Sequence, residues 1–155
     1  MRACDFLDEA RSDPVDPIDA LIVARFGDYD LDMATSGWCG TFALALYRWL
    51  RTKGYDPKLL VFCTWARGCA RGTKISPIQK DDILSWRHVV VEVDGRLYDV
   101  HGRVTAEDTH ANFSTDFVEE ISEPELLRYL RREGTRSYSW RKLRAWSGSL
   151  ESLRA

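Results

Sequence analysis

A cysteine, a histidine and an aspartate in this 155-residue chain carry the functional groups needed for thiol chemistry. Cys39 lies in the stretch SGWCGTFALALYRWL, His88 begins the stretch HVVVEVDGRLYD, and Asp99 ends it. A thiol, an imidazole and a carboxylate are the groups of an activated sulfur nucleophile, in which the histidine takes the thiol proton and the carboxylate orients the histidine. Whether the three can meet depends on the elements that carry them.

Cys39 is expected at the start of a helix. The residues after it repeat apolar side chains at helical spacing, and Thr35 or Ser36 before it can serve as the N-cap. In the first helical turn, unpaired backbone N–H groups and the helix dipole favour a thiolate and lower the pKa of a cysteine. The alternative is a buried thiol that only packs beside Trp38 and Phe42.

His88 and Asp99 are expected on one face of a β-hairpin. Asp94-Gly95 favours a two-residue turn, which pairs Val90 with Asp99 and places His88 on the same face as both. His88 and Asp99 are then diagonal neighbours, close enough for a hydrogen bond. A three-residue turn would put them on opposite faces unless a bulge intervened. Taken separately, Asp99 is also a common turn former and His88 an ordinary edge-strand residue.

The order of these residues, with a cysteine in GWCGTFALAL, a histidine opening HVVVEVDGRLYD and an aspartate closing it, resembles the papain-like cysteine hydrolase superfamily, and most closely its transglutaminase-like branch. The resemblance covers about residues 36–103. It implies an α+β fold in which a central helix near the N-terminus packs on an antiparallel sheet. It also implies that Cys39 is the nucleophile, His88 the general base and acid, and Asp99 the orienting carboxylate.

The surroundings of the nucleophile differ from the family in one respect. Papain-like proteases often carry a glutamine a few residues before the cysteine as an oxyanion donor, and this chain has no amide side chain there. The oxyanion would then be held by the Cys39 backbone N–H and a second donor, either the Trp38 indole or the Ser36 hydroxyl. Trp86 and His101 are further candidates for the substrate cleft.

Composition limits the fold and the partners. With 45% hydrophobic residues, the chain suits one domain, with a core over about residues 16–132 and a basic, aromatic tail over 135–155. A formal net charge of -2 on well-mixed acidic and basic residues favours neither nucleic-acid nor membrane binding, and the N-terminal segment is too acidic for a targeting peptide. We therefore expect a cytoplasmic protein without a metal or cofactor, in an unspecified oligomeric state. Its four cysteines are expected to be free thiols: Cys4, Cys39, Cys63 and Cys69.

Local patterns place the other elements of the first half. Asp16 before Pro17 predicts a capped helix that ends at Phe26, and Gly54 predicts the end of the Cys39 helix. The β-branched and aromatic run from Lys58 to Trp65 predicts a strand, and residues 66–85 a long connection.

The second half has fewer signals. The pattern weakens after Gly102, until Ser122 and Glu125 form a capping box that predicts a helix to about Arg132. The first half of the tail fits either a strand or a short helix.

Several functions fit these residues. The first is a thiol-dependent hydrolase, either a cysteine peptidase or amidase or a deamidase, that acts on a peptide or protein amide through an acyl-enzyme on Cys39. A transglutaminase-like enzyme or an amine acyltransferase would use the same triad and pass the acyl group to an amine. The second is a non-catalytic binding or inhibitory module, with its contact surface in residues 66–85 and the tail. A third is a metal site made of Cys39, His88 and His101.

Overall fold

A computed structural model describes residues 14–26, 39–65, 84–132 and 140–151. The described part has five helices and one five-stranded sheet, so the fold class is α+β, as predicted. In chain order the elements are α1 (Pro17–Phe26), α2 (Cys39–Thr52), β1 (Lys58–Trp65), β2 (Leu84–Val93), β3 (Arg96–Asp99), β4 (Gly102–Val104), α3 (Ala106–Phe113), β5 (Phe117–Ile121), α4 (Glu123–Arg132) and α5 (Trp140–Glu151).

The sheet has the strand order β4-β3-β2-β1-β5, and each neighbouring pair is antiparallel. The hairpin register is the predicted one, because Val93 pairs with Arg96 and Val91 with Tyr98. Both residues of the Asp94-Gly95 turn have positive φ, 51° and 77°. Two successive positive φ values define a turn of type I′, the form that matches the twist of a hairpin.

Helix α2 forms the centre of the core. Its residues from Gly40 to Leu46 are all buried, because the helix contacts β1 and β2 as well as α4 and α5. A helix that is covered on several sides needs apolar residues around most of its circumference, which FALAL supplies. On the sheet, the core face is made by alternate valines, among them Val61, Val89 and Val91.

Three predicted helix termini are confirmed. Asp16 Oδ1 accepts hydrogen bonds from the first backbone N–H groups of α1. Gly54, with φ of 85°, ends α2 in a Schellman motif, since the N–H of Tyr55 donates to the carbonyl of Leu50. Ser122 and Glu125 exchange side-chain to backbone hydrogen bonds in both directions, which is the predicted capping box of α4.

Helix α1 fixes the β2–β3–β4 end of the sheet. Asp16 Oδ2 accepts a hydrogen bond of 2.6 Å from the hydroxyl of Tyr98. Asp19 Oδ1 accepts one of 2.6 Å from the backbone N–H of Arg103. The N-terminal end of α1 is therefore bound to β3, which ends at Asp99, and to β4, which follows it.

The region between Gly102 and Ile121 contains three elements that the sequence did not reveal: β4, α3 and β5. Helix α3 lies over the face of the sheet opposite to α2, where Phe62 meets His110 at 4.8 Å between ring centroids. His110 is half-buried in this helix.

Two predicted boundaries were wrong. Helix α5 adds Leu143, Trp146 and Leu150 to the same core cluster, so the core extends past residue 132 and the tail is not a separate segment. Strand β2 begins at Leu84, so the predicted connection 66–85 is at least two residues too long, and residues 66–83 lie outside the described ranges. Among the described helices, none combines the length and apolarity required to cross a bilayer.

Candidate active site

Cys39 stands at the N-terminal end of α2 and is half-buried. Burial by itself would raise the pKa of this thiol. The interaction of the thiol with His88, together with the backbone N–H groups of Val89 and Gly40, outweighs that effect and lowers the pKa below its usual value. The sulfur is therefore held in an environment that favours the thiolate.

His88 links the thiol to a carboxylate. The residue is 1% exposed, and its Nε2 lies 3.0 Å from Asp99 Oδ2. The other ring nitrogen, Nδ1, is buried and has no hydrogen-bond partner within the described part of the chain. Since Nε2 is engaged by Asp99, Nδ1 is the nitrogen left to face the thiol. Burial alone would lower the pKa of His88, but Asp99 and Cys39 raise it to about 9.

Asp99 remains ionised although it is buried. Burial raises the pKa of its carboxyl group, but the hydrogen bond and charge of His88, together with the backbone N–H and the charge of His101, lower it by more. The second oxygen, Oδ1, accepts a hydrogen bond of 2.8 Å from the backbone N–H of His101. Both carboxylate oxygens are thus used, which fixes the orientation of the imidazole.

The early end of β3 frees one backbone donor for the sulfur. In this hairpin, hydrogen-bonded pairs recur at every second residue from the turn, so Val91–Tyr98 is one such pair and the next would involve Val89. The pairing of β2 with β3 stops before that position. The N–H of Val89 is left without a β3 partner on that side, and its interaction with the Cys39 sulfur lowers the pKa of the thiol.

Phe113, the last residue of α3, covers one face of the histidine. Its ring lies parallel to the His88 imidazole, with 3.9 Å between centroids and 8° between planes. Stacking at this distance restricts rotation of the imidazole and keeps water from that face. The contact could not be predicted, because the sequence pattern after Gly102 does not indicate α3.

A small cavity of about 70 Å³ opens beside the sulfur. Its walls include Cys39, Gly40 and residues 86–89, with Tyr129 and Leu130 from α4. Trp86 stacks on Tyr129 with 4.3 Å between ring centroids. A methyl group at Gly40 would lie 2.8 Å from Leu130, so glycine is what lets α2 approach α4 so closely here.

The predicted site residues fall into three groups. Cys39, His88 and Asp99 come together, and Trp86 lines the cavity. His101 was predicted in the cleft, but it lies behind Asp99, with Nδ1 3.5 Å from Oδ1, and it is not part of the cavity lining described above. Ser36 and Trp38, the two proposed oxyanion donors, lie outside the described residues.

A metal site receives no support from the described ranges, in which no group of three or more His, Cys, Asp or Glu side chains is placed to hold an ion. Comparison of the chain with protein-family models, with curated proteins and with solved structures gives no match. The argument for function therefore rests on the geometry of the site.

Proposed function

We propose that this protein is a thiol-dependent hydrolase of papain-like or transglutaminase-like fold, a cysteine peptidase, amidase or deamidase that acts on a peptide or protein amide. The observation that carries the proposal is the continuous line from Cys39 through His88 to Asp99, with a 3.0 Å contact between His88 Nε2 and Asp99 Oδ2. The two described cysteines, Cys39 and Cys63, are free thiols, which is consistent with work in the cytoplasm.

The resting site is best described as an ion pair. The pKa of Cys39 is lowered and that of His88 is raised to about 9, and both shifts favour the state in which the proton is on the imidazole and the sulfur is a thiolate. Asp99 stabilises the imidazolium. The nucleophile is thus present before substrate binds.

Acylation begins when the Cys39 thiolate attacks the carbonyl carbon of the amide. A carbon–sulfur bond forms, the carbonyl π electrons move to oxygen, and nearby backbone N–H groups stabilise that oxyanion. As the carbonyl re-forms, the carbon–nitrogen bond breaks and the His88 imidazolium gives its proton to the leaving nitrogen. The products of this step are a thioester on Cys39, a free amine or ammonia, and a neutral imidazole.

Deacylation reverses the roles. His88 removes a proton from water, the oxygen attacks the thioester carbon, and the carbon–sulfur bond breaks to return the thiolate. The carboxylic acid product leaves, and the imidazolium and thiolate are restored. If an amine takes the place of water, the same steps give a transglutaminase or an acyltransferase.

The proposal is tested by acylation and alkylation of the four thiols, each followed by peptide mapping. We expect p-nitrophenyl acetate to give a burst of nitrophenol and an acetyl group on Cys39, and iodoacetamide to react fastest at Cys39. Cys39→Ser should abolish the burst. Cys63→Ala is the matched control, because Cys63 is fully buried in β1, where its Sγ lies against the Val61 carbonyl.

The outcomes separate the possible functions. An added amine that accelerates release and appears in the product would identify transfer to an amine rather than to water. If Cys39 reacts no faster than Cys63 with iodoacetamide and no acyl-enzyme forms, the hydrolase proposal is wrong and the scaffold is a non-catalytic binding module.

A further inference from the structure

A β-bulge lies directly beside the candidate nucleophile. Phe62 pairs with His88, but the next residue of β1, Cys63, pairs with Trp86, so Arg87 is an extra residue in β2. A bulge interrupts the alternation of side chains along a strand and redirects the residues on either side of it. As a result, the four successive residues 86–89 all line the cavity beside Cys39.

The bulged residue, Arg87, introduces a positive charge at this cavity. Its side chain is exposed, and the described residues provide no ion-pair partner for it. None of the described residues that line the cavity is acidic. The carboxylate of Asp99 is turned away, toward His88 and His101. Within the described part of the chain, the guanidinium of Arg87 therefore has no counter-charge at this cavity.

The rest of the cavity is small and mostly apolar. The stacked rings of Trp86 and Tyr129 form one wall, and the close contact of Gly40 with Leu130 forms the floor. A volume of about 70 Å³ leaves room for only a few carbon atoms.

We propose that Arg87 binds a carboxylate of the substrate, so that the acyl group received by Cys39 is a short chain that carries a negative charge. A guanidinium presents a planar set of N–H donors that matches a carboxylate, and the bulge places Arg87 directly before His88 at the cavity beside Cys39. The role of Arg87 in binding a substrate rests on the proposed function, whereas the binding of an anion beside Cys39 does not.

The test compares two alkylating reagents of similar size, anionic iodoacetate and neutral iodoacetamide. The ratio of their second-order rates at Cys39 reports the charge near the sulfur. We expect Arg87→Gln to lower the iodoacetate to iodoacetamide ratio by about threefold or more. Arg87→Lys should retain most of the ratio, because it keeps the charge. Arg144→Gln, at an exposed position of α5, is the matched control and should leave the ratio unchanged.

A second arm asks which kind of carboxylate is bound. Free glutarate and the capped peptide acetyl-Gly-Glu-Gly-amide are each tested for protection of Cys39 against iodoacetamide, in the wild type and in Arg87→Gln. Protection by glutarate supports a small carboxylic acid as the ligand, and protection by the peptide supports an acidic side chain of a polypeptide. In either case the protection should be lost in Arg87→Gln.

An unchanged rate ratio in Arg87→Gln, or protection by neither compound, would overturn the proposal. The proposed hydrolase function fails on a different result, which is slow reaction of Cys39 with iodoacetamide in the wild type. The ratio can be measured in either case, so the two proposals can fail separately.

Discussion

The β2–β3 hairpin carries a buried carboxylate contact at each end, and the two contacts differ in what they hold. At one end Asp99 contacts the imidazole of His88, and at the other Asp16 of the α1 cap accepts a hydrogen bond from the hydroxyl of Tyr98. The pKa of each carboxyl group is lowered. The pKa of His88 is raised to about 9 and that of Tyr98 to about 12.

The two contacts differ in the pKa of the side chain that is bound to the carboxylate. Tyr98 keeps its proton at any physiological pH, so its bond to Asp16 is permanent and only joins α1 to the sheet. The pKa of His88, about 9, is much closer to neutral pH. Its second ring nitrogen, Nδ1, is left to face the thiol of Cys39. The same type of contact is structural at one end of the hairpin and suited to proton transfer at the other.

The largest effect is expected from Asp99→Asn. An amide cannot stabilise the imidazolium and favours a different histidine tautomer, so the rate of acylation at Cys39 should fall by about 10³-fold or more. Burst kinetics with p-nitrophenyl acetate measure this. The equivalent change at the other end, Asp16→Asn, should leave the rate within about twofold. Equal losses in the two variants would contradict the distinction between the two ends.

Asp16→Ala should act on stability instead. It removes the N-cap of α1 and leaves the Tyr98 hydroxyl buried without its acceptor, so the free energy of unfolding should drop by about 2–3 kcal/mol. Urea denaturation measures the loss, and the alkylation rate of Cys39 below the transition serves as the second readout. A stable Asp16→Ala protein with an unreactive Cys39 would show that the two ends are coupled.

The pH dependence of the reaction should separate the two ends again. Activity is expected to rise as Cys39 ionises, below the pH at which a free cysteine does so, because its pKa is lowered. It should fall about tenfold per pH unit above about 9, because His88 loses the proton that the leaving nitrogen needs. Tyr98 should ionise only near pH 12. The measurements are kcat/KM against pH and absorbance of the tyrosinate, and a rate still rising at pH 10 would contradict the assignment.

A smaller effect is expected from Phe113→Leu, which removes the ring stacked on His88. The imidazole gains rotational freedom, and we expect kcat to fall by about threefold with a shift of the upper pH limit. Phe113→Tyr keeps the stacked ring and should restore both. If Phe113→Leu changes stability but neither kcat nor the pH profile, the contact is only a packing contact.

The parts of this site that the sequence could predict are those fixed by local rules. The Asp-Gly turn determines the register of the hairpin, and the register places His88 and Asp99 together. The capped ends of α2 and α4 follow from Gly54 and from the Ser122 to Glu125 pattern for the same reason. Such features depend on neighbours a few residues away.

The features that could not be predicted depend on distant contacts. The bulge at Arg87 exists only in relation to β1, and the stack of Phe113 on His88 requires α3 to fold over the sheet. Strand β4 has three residues, too few to show a pattern. Helix α5 did carry a signal, since Leu143, Trp146 and Leu150 have helical spacing, but basic residues, serines and a glycine obscured it.

The early end of β3 has one further consequence. The backbone hydrogen of Val89 can complete one more rung between β2 and β3 or it can be donated to the sulfur, but it cannot do both. Growth of the sheet and reactivity of the thiol therefore compete for a single hydrogen atom. The length of β3 sets the outcome, and one more paired residue there would strengthen the hairpin while it weakened the nucleophile.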